Sequence, residues 1–161
     1  MTSPSTLIPA VTTPSVLIAV TVTWALVAAM WDLRTHRIPN WMTFPAALLG
    51  LALNLALEGS FGLRQSVLGA LAGLGMLIVP FAMGGMGAGD VKMLAAVGAF
   101  GGPAFAFSTF LYGSIAGGLI ALALMLVRSR SMDRARATKM VFPYGVAILA
   151  GAIATSVARW L

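Results

Sequence analysis

Long stretches without a charged residue dominate this chain of 161 residues. A helix needs about 17–25 residues to cross a bilayer, and five uncharged runs are long enough: 1–31, 38–57, 65–89, 93–127 and 140–158. Residues of the AVILMFWYC set make up 60% of the chain and DEKR residues 9%, against about 45–50% and about 25% in soluble domains. The sequence therefore predicts an all-α integral membrane protein with several spans.

The residue inventory excludes several classes of function. The chain has no cysteine and a single histidine, His36, which excludes disulfides, thiolate metal sites and multi-histidine metal sites. The net charge of +6 comes from only ten Lys and Arg residues, too few for the broad basic face that phosphate contacts require. We expect no nucleic-acid partner.

The run 93–127 decides how many helices there are. It is too long for one span and barely long enough for two, and Gly101-Gly102-Pro103 is a strong helix stop inside it. With two crossings the inner face carries Arg34, Arg37, Lys92 and the five positive charges of 128–139, as the positive-inside rule favours. A single crossing would move those five charges outside. The sequence thus predicts one membrane-embedded domain over 1–161, with both termini outside and six helices at about 15–32, 41–57, 65–83, 90–101, 104–127 and 142–160.

The predicted fourth helix is short. Its 12 residues rise about 18 Å, whereas the hydrocarbon core is about 30 Å thick. Asp90 would then lie roughly 12 Å inside the inner boundary of the core. The Gly-rich segment 84–89 before it becomes a re-entrant loop, which must be buried in protein or line a wet cavity because lipid cannot satisfy its backbone groups.

Two of the four acids are candidates for chemistry. Glu58 falls in a short predicted loop, and Asp133 lies among arginines as their counter-charge. Asp32 ends the first helix and Asp90 begins the fourth on the same side, and an ionisable group at membrane depth indicates a functional site. The alternative is that each forms a local ion pair, Asp32 with Arg34 or Arg37 and Asp90 with Lys92.

A converging pair of carboxylates would share one proton and act as general base and general acid in peptide hydrolysis, without metal or cofactor. Helix dipoles favour the ionised form at a helix start and disfavour it at a helix end. We therefore expect Asp90 to be the base and Asp32 the acid.

Three segments resemble the motifs of the prepilin peptidases, membrane aspartyl proteases of the GxGD type. They are Asp-Leu-Arg-Thr-His-Arg-Ile-Pro-Asn at 32–40, Gly-Ala-Gly-Asp-Val-Lys-Met at 87–93 and Pro-Tyr-Gly at 143–145. The resemblance covers about 15–160. It implies that Asp32 and Asp90 are the catalytic pair. It also implies an active-site loop formed by Gly87, Ala88 and Gly89. The candidate supporting residues are Lys92, Pro143 and Tyr144.

The resemblance also implies a substrate and a place. The family cleaves the basic leader from type IV pilin precursors, in which a hydrophobic helix follows the leader, at the cytoplasmic face of the bacterial inner membrane. The short length and the lack of cysteine resemble the peptidase-only form associated with tight-adherence (Flp-type) pili, so we expect no N-methyltransferase activity. Archaeal preflagellin peptidases share the GxGD signature and are a second relative.

The charged residues also suggest a lipid partner and an alternative function. The five-positive segment 128–139 should repel a basic leader, and we expect it to bind anionic lipid head groups instead. The alternative function is a non-catalytic membrane protein, a small transporter or pilus-assembly scaffold, with Asp90 and Lys92 as a structural or ion-path pair.

Overall fold

The computed structural model describes residues 15–35, 37–129 and 144–159, without the side chains of 124 and 127–129. Over this part of the chain the regular elements are four helices: α1 (Ser15–Thr35), α2 (Asn40–Ala82), α3 (Ala88–Ser129) and α4 (Tyr144–Ala158). Three stretches are long and apolar enough to cross a membrane, Ser15–Thr35, Asn40–Ala82 and Ala88–Ala123, and α4 is a shorter apolar helix. The helices are those of a membrane protein with several spans.

Helix α2 folds back on itself at Gly59, where the backbone takes a φ of 63° and leaves the helical conformation. Gly50 and Gly69 lie on either side of this break, and they pack against the neighbouring residues Ala99 and Gly98 of α3. A straight helix would separate positions 50 and 69 by about 28 Å. The first half of α2 (40–58) and the second half (60–82) therefore form a helical hairpin.

Helix α3 breaks at Gly102, which has a φ of 78°. Pro103 follows and has no N–H, so the carbonyl of Ala99 four residues earlier loses its helical partner. The side-chain amide of Asn54 donates a hydrogen bond of 3.0 Å to that carbonyl, and the hydroxyl of Ser66 donates another to the same oxygen. The hairpin of α2 thus satisfies the backbone exposed by the break.

The two breaks relate the four helices to the six that the sequence predicts. They divide α2 and α3, so that the described residues form six helical segments: 15–35, 40–58, 60–82, 88–101, 103–129 and 144–158. The predicted loop around Glu58 is smaller than expected, because only Gly59 leaves the helical conformation there. The ends of the last predicted helix, 142–143 and 160, lie outside the described residues.

The first segment of α3 (88–101) lies at the centre of the bundle. Residues 93–100 are all buried, and the side chains of Met93, Leu94, Val97 and Phe100 have no exposed surface. A helix that is apolar on every face is a buried helix. Large apolar side chains of the surrounding helices point outward instead, with Leu48 67% exposed, as suits a surface that faces lipid.

Helix α4 packs antiparallel against the second segment of α3 (103–129). Gly151 lies against Thr109, and Gly113 lies against Ala147, where an added Cβ would come within 2.9 Å of the carbonyl oxygen. This pairing brings the start of α4 to the end of the bundle at which α1 ends and α3 begins.

Candidate active site

Asp32 and Asp90 meet at that end of the bundle. Asp32 lies in the last turn of α1 and Asp90 in the first turn of α3, and each is only 7% exposed. They line one cavity of about 370 Å³, here called the polar cavity. The rest of its wall is formed by Arg37, Ile38, Asn40, Gly87, Ala88, Gly89 and Lys92.

The carboxyl of Asp90 is held by the residue that precedes its own helix. The N–H of Gly87 donates a hydrogen bond of 3.1 Å to Asp90 Oδ2. An acid at the third helical position that accepts from the N-cap N–H is one half of a capping box. This bond explains a correction: α3 begins at Ala88, two residues earlier than the predicted start at Asp90, so the loop is shorter than the predicted 84–89.

Gly89 brings the two motif segments into contact. It packs on Ile38, and an added Cβ would lie 3.1 Å from the Cβ of Ile38 and 3.2 Å from its backbone nitrogen. Such distances are tighter than nearly all contacts that a real Cβ makes. The absence of a side chain at Gly89 therefore sets how closely the start of α3 approaches the residues that follow Asp32.

The carboxyl of Asp32 is held by α4. The N–H of Gly145 donates a hydrogen bond of 3.3 Å to Asp32 Oδ2, and Gly145 is the second residue of α4, whose first four N–H groups have no partner within the helix. Pro143 and Tyr144 were predicted as supporting residues, but Gly145 was not. Its place in the same Pro-Tyr-Gly motif was the one feature of the sequence that could have indicated it.

This contact changes the dipole argument. Asp32 lies between the C-terminal end of α1, which disfavours a negative charge, and the N-terminal end of α4, which favours one. Asp90 lies only at a helix start. The contrast that led us to expect Asp90 as the base and Asp32 as the acid is therefore reduced, and that assignment stays a prediction.

Lys92 binds a partner other than Asp90. Its ammonium group donates a hydrogen bond of 2.7 Å to Asn40 Oδ1 and lies 5.7 Å from the centre of the Phe44 ring. Both residues are described, and no ion pair joins Lys92 to Asp90. Lys92 thus ties the start of α3 to the start of α2, and Asn40 is a second residue that the sequence analysis missed, although the first motif ends on it.

The remaining candidates are distributed as follows. Ala88 lines the polar cavity, and Tyr144 lies half-buried next to the Gly145 contact. Pro143, His36 and residues 130–139 of the positive segment lie outside the described residues. Within the described ranges no group of three His, Cys, Asp or Glu residues is placed to hold a metal ion.

A family model for the type IV leader peptidases matches residues 19–122, a range that contains both carboxylates of the polar cavity. The chain belongs to the type IV leader peptidase family. The resemblance that the motifs predict is thereby confirmed at the level of the family, whereas the assignment to the peptidase-only Flp form stays a prediction.

Relatives of this family member carry the name prepilin leader peptidase/N-methyltransferase. The protein of Aeromonas hydrophila is 34% identical over 157 residues, which cover 89% of this chain and 52% of the relative. The protein of Pseudomonas putida is 33% identical over 131 residues, 74% of this chain and 44% of the relative. The chain spans about half the length of the curated relatives it matches. No solved structure matches it.

Proposed function

We propose that the chain is a membrane aspartyl endopeptidase that removes the basic leader of type IV prepilins, with Asp32 and Asp90 as the catalytic pair. One observation carries the proposal: two buried carboxylates from different helices line one polar cavity, and each accepts a hydrogen bond from a glycine N–H. The names of the relatives support prepilins as the substrate class.

The reaction requires one ionised and one protonated carboxyl group. The ionised group takes a proton from water while the water oxygen attacks the scissile carbonyl carbon, and the protonated group gives its proton to the carbonyl oxygen. The tetrahedral gem-diol intermediate collapses when its C–N bond breaks: the leaving nitrogen accepts a proton from the pair, and one hydroxyl group of the intermediate returns a proton to the pair as the C=O bond re-forms. Water is consumed, a carboxylic acid and an amine are formed, and the pair again holds one proton.

Gly87, the last residue of the loop, suits this chemistry. It lines the polar cavity, and an added Cβ there would lie 3.3 Å from Asp90 Oδ2, so the missing side chain leaves room beside this carboxyl group for an extended peptide backbone. A substrate backbone could therefore reach the carboxyl groups from the side of the loop.

We also propose the predicted topology: six crossings, both termini outside, and the catalytic pair at the cytoplasmic face of a bacterial inner membrane. Supporting it, Arg34, Arg37 and Lys92 lie at the end of the bundle that holds the pair, whereas Arg64 follows the Gly59 break at the other end. This is the asymmetry of the positive-inside rule.

Because the chain has no cysteine, single cysteines at the exposed positions Met83 and Ser60 should react with an impermeant maleimide from opposite sides of the membrane.

Replacing either carboxyl group tests the proposed activity. In proteoliposomes containing a Flp-type prepilin, Asp32→Asn and Asp90→Asn should each lower the cleavage rate by about 10²–10⁴-fold, the usual contribution of a general acid or base. Asparagine keeps the size of the side chain and an oxygen that accepts the glycine N–H. Glu58→Gln, a matched loss of a carboxyl group outside the polar cavity, should cleave like the wild type. Cleavage at the wild-type rate by either aspartate variant would refute the catalytic pair, whereas no cleavage by the wild type would favour the non-catalytic scaffold alternative.

The same reaction tests the predicted lack of methyltransferase activity. With S-adenosylmethionine present, mass spectrometry of the cleaved pilin should find an unmethylated N-terminus. A methylated product from purified protein would contradict the peptidase-only assignment without affecting the catalytic pair.

A further inference from the structure

A second cavity lies beside the polar one, between the second half of α2, both segments of α3 and α4. It has a volume of about 470 Å³, within the usual range of about 300–1,000 Å³ for ligand sites. Its wall is almost entirely apolar and includes Leu77, Leu94, Phe110 and Ile148. We call it the apolar cavity.

The apolar cavity adjoins the catalytic pair at two places. Met86 lines it, and the next residue, Gly87, binds Asp90. Tyr144 lines it too, and the next residue, Gly145, binds Asp32. Consecutive Cα atoms are about 3.8 Å apart, so each glycine that holds a carboxyl group is one residue from the wall of the apolar cavity.

We propose that the apolar cavity binds the apolar residues of the peptide substrate next to the scissile bond. The inference rests on the proposed function. An extended peptide advances about 3.3–3.6 Å per residue, so a side chain one or two positions from a bond held at the carboxyl groups reaches this cavity. A lipid chain could fill an apolar cavity anywhere in the bundle, whereas a peptide held for cleavage needs one beside the two carboxyl groups, where this cavity lies.

Gly118 is a position in the wall of the apolar cavity at which a side chain can be added without a clash. It lines the apolar cavity, and an added Cβ there would meet nothing within 4 Å. Gly75 provides a matched control, because an added Cβ at this position on α2 also meets nothing, and Gly75 lines neither cavity. Gly118→Leu and Gly75→Leu therefore make the same chemical change inside and outside the proposed site.

The measurement is the cleavage kinetics of the full chain in proteoliposomes, with a prepilin peptide that carries large apolar residues beside the cut. Gly118→Leu should raise KM about tenfold or more and change kcat less than twofold, because the carboxyl groups are untouched. Gly75→Leu should leave both constants unchanged. Ala121→Leu, at another position in the wall of the apolar cavity, should repeat the rise in KM if Gly118→Leu does not fold.

A second substrate identifies the occupant. When the apolar residues beside the cut are replaced by alanine, the wild-type KM should rise, and Gly118→Leu should add little further. An unchanged KM in Gly118→Leu and Ala121→Leu, or an equal loss of rate with both peptides, would overturn the inference; the equal loss would indicate that a lipid chain and not the substrate occupies the cavity. If the wild type cleaves neither peptide, the proposed function fails instead.

Discussion

The contact between Gly145 and Asp32 allows a quantitative test of how the carboxyl group is positioned. In Gly145→Ala the new Cβ would lie 2.9 Å from Asp32 Oδ2, 3.2 Å from its Cβ and 3.3 Å from its Cγ. Favourable separations between such atoms are about 3.5–4.0 Å, so the carboxyl group must turn or α4 must move away by roughly half an ångström. The N–H···O bond is already 3.3 Å long, and such a shift takes it beyond hydrogen-bonding distance.

The expected loss follows from that bond. Because Asp32 is the expected acid, the bond is one to a neutral carboxyl group, which contributes about 0.5–1.5 kcal/mol, and each 1.36 kcal/mol corresponds to a tenfold change in rate. Gly145→Ala should therefore lower kcat for prepilin cleavage by roughly 2- to 12-fold, with KM changed less than about threefold, because the substrate does not touch the altered bond.

Gly75→Ala is the control for this prediction. It makes the same substitution in a helix at a position where an added Cβ meets nothing within 4 Å, so kcat should be that of the wild type. Circular dichroism of both variants in detergent should show the helix content of the wild type. If folded Gly145→Ala protein cleaves with a kcat within twofold of the wild type, the contact does not position Asp32 and the reasoning is wrong.

Three further predictions concern the contacts around the bundle. Gly89→Val should lower the cleavage rate at least tenfold, because the valine side chain would collide with Ile38. Immunoblotting of precursor and product measures the rate, and normal processing would show that Ile38 moves aside without affecting the site. Lys92→Met should lower kcat about 3- to 10-fold by removing the hydrogen bond to Asn40, and equal rates in a kinetic assay would assign the bond no positioning role. Asn54→Leu should lower the free energy of unfolding by about 1–3 kcal/mol, because two carbonyl groups at the break in α3 lose a hydrogen-bond donor. Denaturant titration in micelles measures this loss, and an unchanged midpoint would mean that those carbonyl groups find other donors.

The helices and both breaks could be predicted from local sequence because a bilayer leaves few alternatives. Lipid offers no hydrogen bonds, so an uncharged run long enough to cross the bilayer is helical over most of its length, and Gly102 followed by Pro103 interrupts the helix there. The partners that stabilise the break could not be predicted. Asn54 binds the carbonyl of Ala99 across 45 positions of the chain, and neither its residue type nor its neighbours indicate which carbonyl it will meet.

The same division applies to the candidate site: its charged side chains could be predicted from the sequence, whereas the backbone groups that bind them could not. Asp32 and Asp90 could be predicted because charged residues are only 9% of the chain, so an acid that ends or begins an apolar helix is conspicuous. Their donors could not, because a main-chain N–H is present at nearly every residue and is selected only by tertiary packing. Since both donors, Gly87 and Gly145, are main-chain groups, no side-chain deletion can remove them. A variant can disturb them only by moving the backbone, so atoms added at the glycines of the site should lower the cleavage rate although no functional group is lost.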